Sequence, residues 1–184
     1  MIVMKIKKLI SILAIALAVT CLPGRAMTAP SAEGDVRTVV QQVFEQLKAG
    51  QYSSLYDSLP AASRGRLSRQ QFDSMLQKTR NMYQLDRLEV GNVRVANNLA
   101  VVDTVMFGRV LQPITAEGKI VVQQYLVRED GRWRVATGDN QTIRRFLAAN
   151  PGFGKSFALR PARVYVKQNG SWVLVNMSRL PKRR

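Results

Sequence analysis

The side chains whose types and spacing could do chemistry fall into three groups, and none contains histidine, because the chain has none. That removes the commonest general base and the commonest metal ligand. Ser-His-Asp and Cys-His mechanisms are excluded, and zinc would need an all-carboxylate site. No metal and no cofactor is expected. The first group is built on Asp103, which alternates with Val101 and Val105 on an otherwise apolar strand face, with Tyr52, Tyr56, Tyr83 and Tyr125 as candidate borders of the same pocket. A carboxylate in an apolar pocket has its pKa raised and can shuttle a proton. The competing reading leaves Asp103 wet near a strand end, or paired with an arginine such as Arg94 or Arg109.

The second group, Gly152-Phe153-Gly154-Lys155-Ser156, looks like the end of a phosphate-binding loop. That motif also needs glycine five places before Gly154, where Ala149 stands, and it needs a strand before and a helix after. Here a helix is expected before it and a strand after, so no phosphate loop is assigned.

The third group is the basic end. Of 28 Lys and Arg and 12 Asp and Glu, residues 141–184 hold ten cations and no acid: Arg144, Arg145, Lys155, Arg160, Arg163, Lys167, Arg179, Lys182, Arg183 and Arg184. Arginine suits bidentate contact with phosphate or carboxylate. Arg163, Tyr165 and Lys167 alternate onto one strand face and set an aromatic ring between two cations. Such a face can grip nucleic acid, acidic lipid head groups or an anionic envelope polymer. A charge step like this also occurs as a solvated face that only aids solubility, and both readings stay open.

Export frames all three. Lys5, Lys7 and Lys8 precede an apolar run from Leu9 to Val19, and Gly24-Arg25-Ala26 offers the small residues that signal peptidase accepts, with cleavage after Ala26. An apolar core of that length is too short to span a bilayer, which takes about 20 residues. Residues 1–26 are therefore read as a signal peptide, and the mature chain as exported to a bacterial periplasm or beyond, soluble once the signal is removed. Cys21 is the one cysteine. Thr20 and Ala18 stand where lipoprotein signals carry a small residue and leucine, so acylation is not assigned. The mature chain then has no disulfide.

The elements that must position these groups follow from periodicity. After a polar leader at 27–34, Asp35 is the expected cap of a helix whose stripe is Val36, Val39, Val40, Val43, Phe44 and Leu47, stopped at Ala49-Gly50. A short helix is read over Gln51–Leu59, closed by Pro60. A third opens with a capping box of Ser68 and Gln71 and a staple of Leu67 on Phe72, and buries Phe72, Met75, Leu76 and Met82. Strands follow at Leu88–Val95, Leu99–Leu111, Lys119–Arg128 and Arg132–Gly138, joined by turns at Asn97-Asn98 and Asp130-Gly131. In the last of these, Trp133, Val135 and Thr137 face inward and Arg132, Arg134 and Ala136 outward. Strand 99–111 is apolar on both faces, so it is central or lies against a partner subunit, and a homodimer is expected. A helix with Ile143, Phe146 and Leu147 on one side ends at Asn150-Pro151-Gly152. A loop from Phe153 to Pro161 then leads to a hairpin, Ala162–Lys167 and Ser171–Met177, turned at Asn169-Gly170.

Two stretches, Val39 to Tyr56 (VVQQVFEQLKAGQYSSLY) and Tyr125 to Val135 (YLVREDGRWRV), set in this order of helices and antiparallel meander, resemble the nuclear transport factor/ketosteroid isomerase-like superfamily. The resemblance covers about residues 36–138. It implies a strongly curved sheet wrapped around the helices to leave a conical pocket, and frequent pairing through the sheet. No catalytic motif of that superfamily aligns onto this chain, so no catalytic residue is carried over, and the resemblance says nothing of residues 141–184. The expected fold is one α+β domain over 35–178: N-terminal helices packed on a curved antiparallel sheet (core 36–138), a basic C-terminal helix and β-hairpin (141–178), and a basic tail at 179–184. The expected function is a non-catalytic binding or accessory module of the bacterial cell envelope that meets an anionic partner through its basic end. The alternative is an isomerase or hydrolase acting on a small apolar ligand, with Asp103 in the pocket.

Overall fold

The computed structural model describes residues 31–112 and 115–175. Residues 1–26, read above as a signal peptide with Cys21 and Ala26, and the tail residues Arg179, Lys182, Arg183 and Arg184, lie outside them. Among the described residues no helix is long and apolar enough to cross a membrane.

Helix α1 spans Ala32–Ala49. It begins one turn earlier than Asp35 would place it, because the Ser31 hydroxyl accepts the Gly34 amide at 3.1 Å. Asp35 then sits with Glu33 in the first turn, where a negative charge suits the helix dipole. At the other end Gly50 takes the left-handed conformation and Gln51 N–H closes on Gln46 C=O at 2.8 Å, as expected. Helix α2 covers Tyr52–Asp57. Pro60 does more than close it: the Pro60 carbonyl accepts from Ser63 and Arg64 and starts a further turn, α3 (Ala61–Arg64), that periodicity did not suggest. Helix α4 (Arg69–Thr79) carries the full capping box of Ser68 and Gln71, and a 3-10 turn at Arg80–Met82 follows. Tyr52, Leu55 and Phe72 form the core of this helical layer. Met75 and Met82 do not join it; they are 50% and 44% exposed, since α4 meets α2 along a stripe that ends at Phe72 and Leu76.

Among the described residues six antiparallel strands form one sheet: β1 (Tyr83–Ala96), β2 (Leu99–Val110), β3 (Ala116–Glu129), β4 (Arg132–Val135), β5 (Arg163–Gln168) and β6 (Ser171–Leu174). The order is β1-β2-β3-β5-β6. The far edge of β3 is shared, with β4 pairing Leu126 to Glu129 and β5 pairing Gly118 to Val121. The tight turns fall where asparagine and Asp-Gly put them, with positive φ at Asn97, Asp130, Gly131, Asn169 and Gly170. Register shifts in β1 between Leu85 and Arg87 and between Val90 and Val93 add local bend and twist. Gly108 faces the first of these. A methyl there would collide with the Gln84 carbonyl oxygen and lie 3.2 Å from Leu85 Cα, both backbone. Gly108→Ala is expected to lower the unfolding free energy by about 3 kcal/mol, read as a drop in urea midpoint at constant m-value.

Alternation along the strands gives the sheet two faces, each with its own core. On one, α1 lays Val36 and Val40 against Val93, Ala100, Val102, Leu126, Trp133 and Val135. On the other, α5 (Asn140–Ala149) sets Ile143 and Leu147 on Leu99, Val101, Tyr125, Val127 and Ala136. Over Leu99–Val102 strand β2 is apolar on both faces because it lies there between two helical layers of its own chain. Ala136, expected outside, is 1% exposed: it does point away from Trp133 and Val135, but the face it points to is covered by Ile143 and Leu147 of α5. The expected loop after Asn150 opens instead as helix α6 (Pro151–Ser156). Gly152 to Ser156 are therefore helical, and Gly154 is the residue that fits, because a methyl there would stand 2.8 Å from Leu147 C=O.

Candidate functional site

Helices α5 and α6 and the residues after them cover only one end of their sheet face. The uncovered part shows what the strand register has brought together. Arg87 pairs with Phe107, Phe107 with Lys119, Lys119 with Tyr165 and Tyr165 with Leu174. One row across five strands therefore reads cation, aromatic, cation, aromatic, aliphatic. The side chains engage one another: the Arg87 guanidinium lies 3.7 Å from the Phe107 ring centre, and Lys119 Nζ lies 4.5 Å from the Trp172 ring and 5.3 Å from Tyr165. Trp172 reaches in from β6 to meet Phe107 edge-on at 6.4 Å. Contacts of this kind hold the rings and cations in place while leaving their outer surfaces in water. Trp172 stays 36% exposed and Leu174 55%.

Two grooves flank this row. One, of about 540 Å³, is bordered by Arg87, Phe107, Arg109, Lys167 and Trp172. The other, of about 680 Å³, is bordered by Val105, Val121, Asp103, Arg160 and Arg163. Arg160, Arg163 and Lys167 of the expected basic group thus belong to this face. Lys167 is already engaged by Glu117 at 2.9 Å. Arg144, Arg145 and Lys155 are exposed on α5 and α6 and line neither groove. Arg87 and Lys119 belong to the face as well, although the charge-balanced part of the chain gave no reason to single them out. Their signal was the hairpin register, which sets each against an aromatic partner.

Asp103 lies on this face too, opposite the one that carries α1, and so not between α1 and the sheet. Its carboxylate accepts from Arg94 Nη1 at 2.8 Å and from Gln123 Nε2 at 3.2 Å. The hydrogen bond from Arg94 holds its pKa below the ordinary carboxylate value, with burial opposing and Gln123 assisting. Of the two sequence readings of Asp103, the pairing with Arg94 is the one that holds and the pocket acid with a raised pKa does not. Nor do the four tyrosines ring one pocket. Tyr125 is buried beside Asp103 with its hydroxyl donating toward Ala158 C=O at 3.0 Å, and burial pushes its pKa up. Tyr52 and Tyr56 belong to the helical core, and Tyr83 opens β1.

One polar cluster was not foreseen. Asp139 caps α5 by accepting the Thr142 amide at 3.0 Å, and also accepts from the Ser63 hydroxyl at 2.5 Å, the Thr142 hydroxyl at 2.8 Å and the Arg66 guanidinium. Burial raises its pKa, but these four donors outweigh that and hold it at about 2. The cluster ties α3 to α5 and is structural.

No protein-family model matches the chain. No curated protein matches it either. Among solved structures it is similar to the solution structure of a SEC-C motif containing protein from Rhodopseudomonas palustris, with 8% identity over 53% of this chain and 71% of that one and a TM-score of 0.44.

Proposed function

We propose that this protein is an exported, non-catalytic binding module of the bacterial cell envelope, and that its uncovered sheet face docks on anionic lipid head groups. The single observation that carries the reading is the row Arg87–Phe107–Lys119–Tyr165–Leu174 with Trp172 beside it. Tryptophan, tyrosine and exposed aliphatics next to Lys and Arg are the residues that sit at a membrane interface: rings and alkyl groups enter the head-group boundary while the cations meet phosphate. Each cation near an anionic surface contributes about 1 kcal/mol, and the effect is screened by salt. Helices that precede a meander of long strands support the further reading that the chain is similar to the nuclear transport factor/ketosteroid isomerase-like superfamily.

The test is flotation of the chain without residues 1–26 on vesicles of neutral phosphatidylcholine and of phosphatidylcholine with phosphatidylglycerol, with an anionic polymer and duplex DNA as competitors. Binding to the anionic vesicles alone, falling as salt rises from about 50 to about 200 mM, is expected. Preference for the polymer or for DNA would move the partner to that class. DNA binding would show a log–log salt slope near −0.9 per phosphate engaged. Indifference to all three would leave the face without an anionic partner.

A further inference from the structure

The borders of the sheet are not alike. Along β1 the outward carbonyls are taken by cations of α1: Arg37 Nη1 donates to Val90 C=O at 3.2 Å and Lys48 Nζ to Asp86 C=O at 2.6 Å. Two register shifts also bend that strand. Beside β4, Val135 N–H donates to Ser58 C=O at 2.8 Å and closes that border against the end of α2. Charges, bulges and covering segments are the devices that keep a sheet edge from pairing with another chain. Strand β6, the last in the order, shows none of them among the described residues: Ser171–Leu174 holds no charge, no proline and no bulge. Register defines what this edge offers. Val175 N–H donates to Val164 C=O at 2.8 Å, and Val173 and Ser171 pair with Val166 and Gln168. Main-chain groups alternate along an antiparallel strand, so those of Ser171, Val173 and Val175 point to β5 and those of Trp172 and Leu174 point outward. Among the described residues these two N–H and two C=O groups have no main-chain partner. The side chains agree: of six exposed large apolar residues among those described, Trp172, Val173 and Leu174 are three in a row.

We infer that β6 pairs antiparallel with β6 of a second copy of this chain, joining two sheets edge to edge. The strand fits itself. With Val173 on the two-fold axis, Trp172 N–H donates to the partner's Leu174 C=O and the partner's Leu174 N–H donates to Trp172 C=O, and the axis repeats both bonds. Each Trp172 then stands opposite a leucine on the uncovered face, and the two Val173 side chains meet on the other. Aromatic and β-branched pairs of this kind stabilise antiparallel neighbours. A second copy also brings no charge to an uncharged strand, and this register gives every residue from Ser171 to Val175 an opposite number. The axis stands perpendicular to the sheet, so both uncovered faces remain on one side and the two cation–aromatic rows form one surface. The pairing does not rest on lipid docking. The contact is small, so a dissociation constant on the order of 100 µM is expected.

The experiment is sedimentation velocity of the chain without residues 1–26 at about 10 and about 500 µM, with dimer expected at the higher concentration. The copies are both strongly basic and the joined strands are neutral, so raising salt from about 50 to about 200 mM should strengthen the dimer. Docking on anionic vesicles weakens over the same range. Leu174→Pro removes an outward N–H that β5 does not use, and should leave a folded monomer. Register is read with single cysteines, since the chain without residues 1–26 has none of its own. Val173→Cys meets itself across the axis and should cross-link on mild oxidation about tenfold faster than Ser171→Cys, which stands about 14 Å from its copy. If Leu174→Pro fails to fold, the two cysteine variants decide. A monomer at about 500 µM would overturn the inference. So would a dimer that survives in folded Leu174→Pro, or cross-linking no faster at Val173 than at Ser171. Vesicle binding by a chain that stays monomeric would overturn this pairing and leave the lipid proposal standing.

Discussion

Glutamate at both Lys119 and Arg163 is expected to lower affinity for anionic vesicles about a hundredfold. The double change removes two cations from the uncovered face and installs two anions, each worth about 1 kcal/mol near an anionic surface before screening. Both side chains stand on the same face, two rows of register apart at most, because Lys119 pairs with Tyr165 and Arg163 pairs with Val121. The fold should survive, since Arg163 is exposed and Lys119 is half-buried among side chains that reach water. A thermal midpoint within a few degrees of wild type, with vesicle affinity unchanged, would remove this face from consideration. Arg144→Glu with Arg145→Glu on α5 makes the companion measurement. It changes net charge by the same amount away from the face, so a comparable loss there would point to diffuse charge rather than to the aromatic row.

Asp139→Ala should be the most destabilising single change in the polar network, by about 3 kcal/mol. It removes the α5 cap and leaves the buried Ser63 and Thr142 hydroxyls and the Arg66 guanidinium without their shared acceptor. The same group sets an acid dependence. Its pKa falls from an ordinary 3.8 unfolded to about 2 folded, which at about 1.4 kcal/mol per pH unit is worth roughly 2 kcal/mol. A depressed folded pKa means that this stability is present above pH 3.8 and is lost as pH falls toward about 2. Urea titrations at pH 5 and pH 2 should show wild type losing that increment while Asp139→Asn, already without the charge, loses less. Equal acid sensitivity in the two proteins would show that other carboxylates govern the transition.

The local devices were legible because their physics is local. The Ser68–Gln71 box, the left-handed Gly50 and the Asn97, Asp130-Gly131 and Asn169-Gly170 turns each need only a few neighbouring residues, and each stands where the residue types put it. Period-two alternation likewise identified the long strands and the central, two-faced β2. The errors came where one stretch depended on another. Met75 and Met82 continue an apolar stripe, yet the helix they belong to has a neighbour only along Phe72 and Leu76. The Gly152 to Ser156 stretch reads as a loop until Leu147 is seen pressing on Gly154. Asp103 could be read from sequence as a pocket acid or as the partner of an arginine such as Arg94, and the hairpin register, which sets the two 2.8 Å apart, decided for the pair.

By itself the sequence determined an α+β domain, its turns and caps, the lack of histidine chemistry and the concentration of cations toward the C-terminus. Only the tertiary structure decided which of those cations share a face, because a strand's side chains find their neighbours through register. Lys119 acquires Phe107 and Tyr165, and Arg87 acquires Phe107, from strands up to 46 residues away in sequence. It also decided which polar atoms are left unpaired. Gln46 lies on α1 and the neighbours Trp133 and Arg134 on β4, and whether a donor finds an acceptor depends on the packing between such elements, which no local pattern encodes.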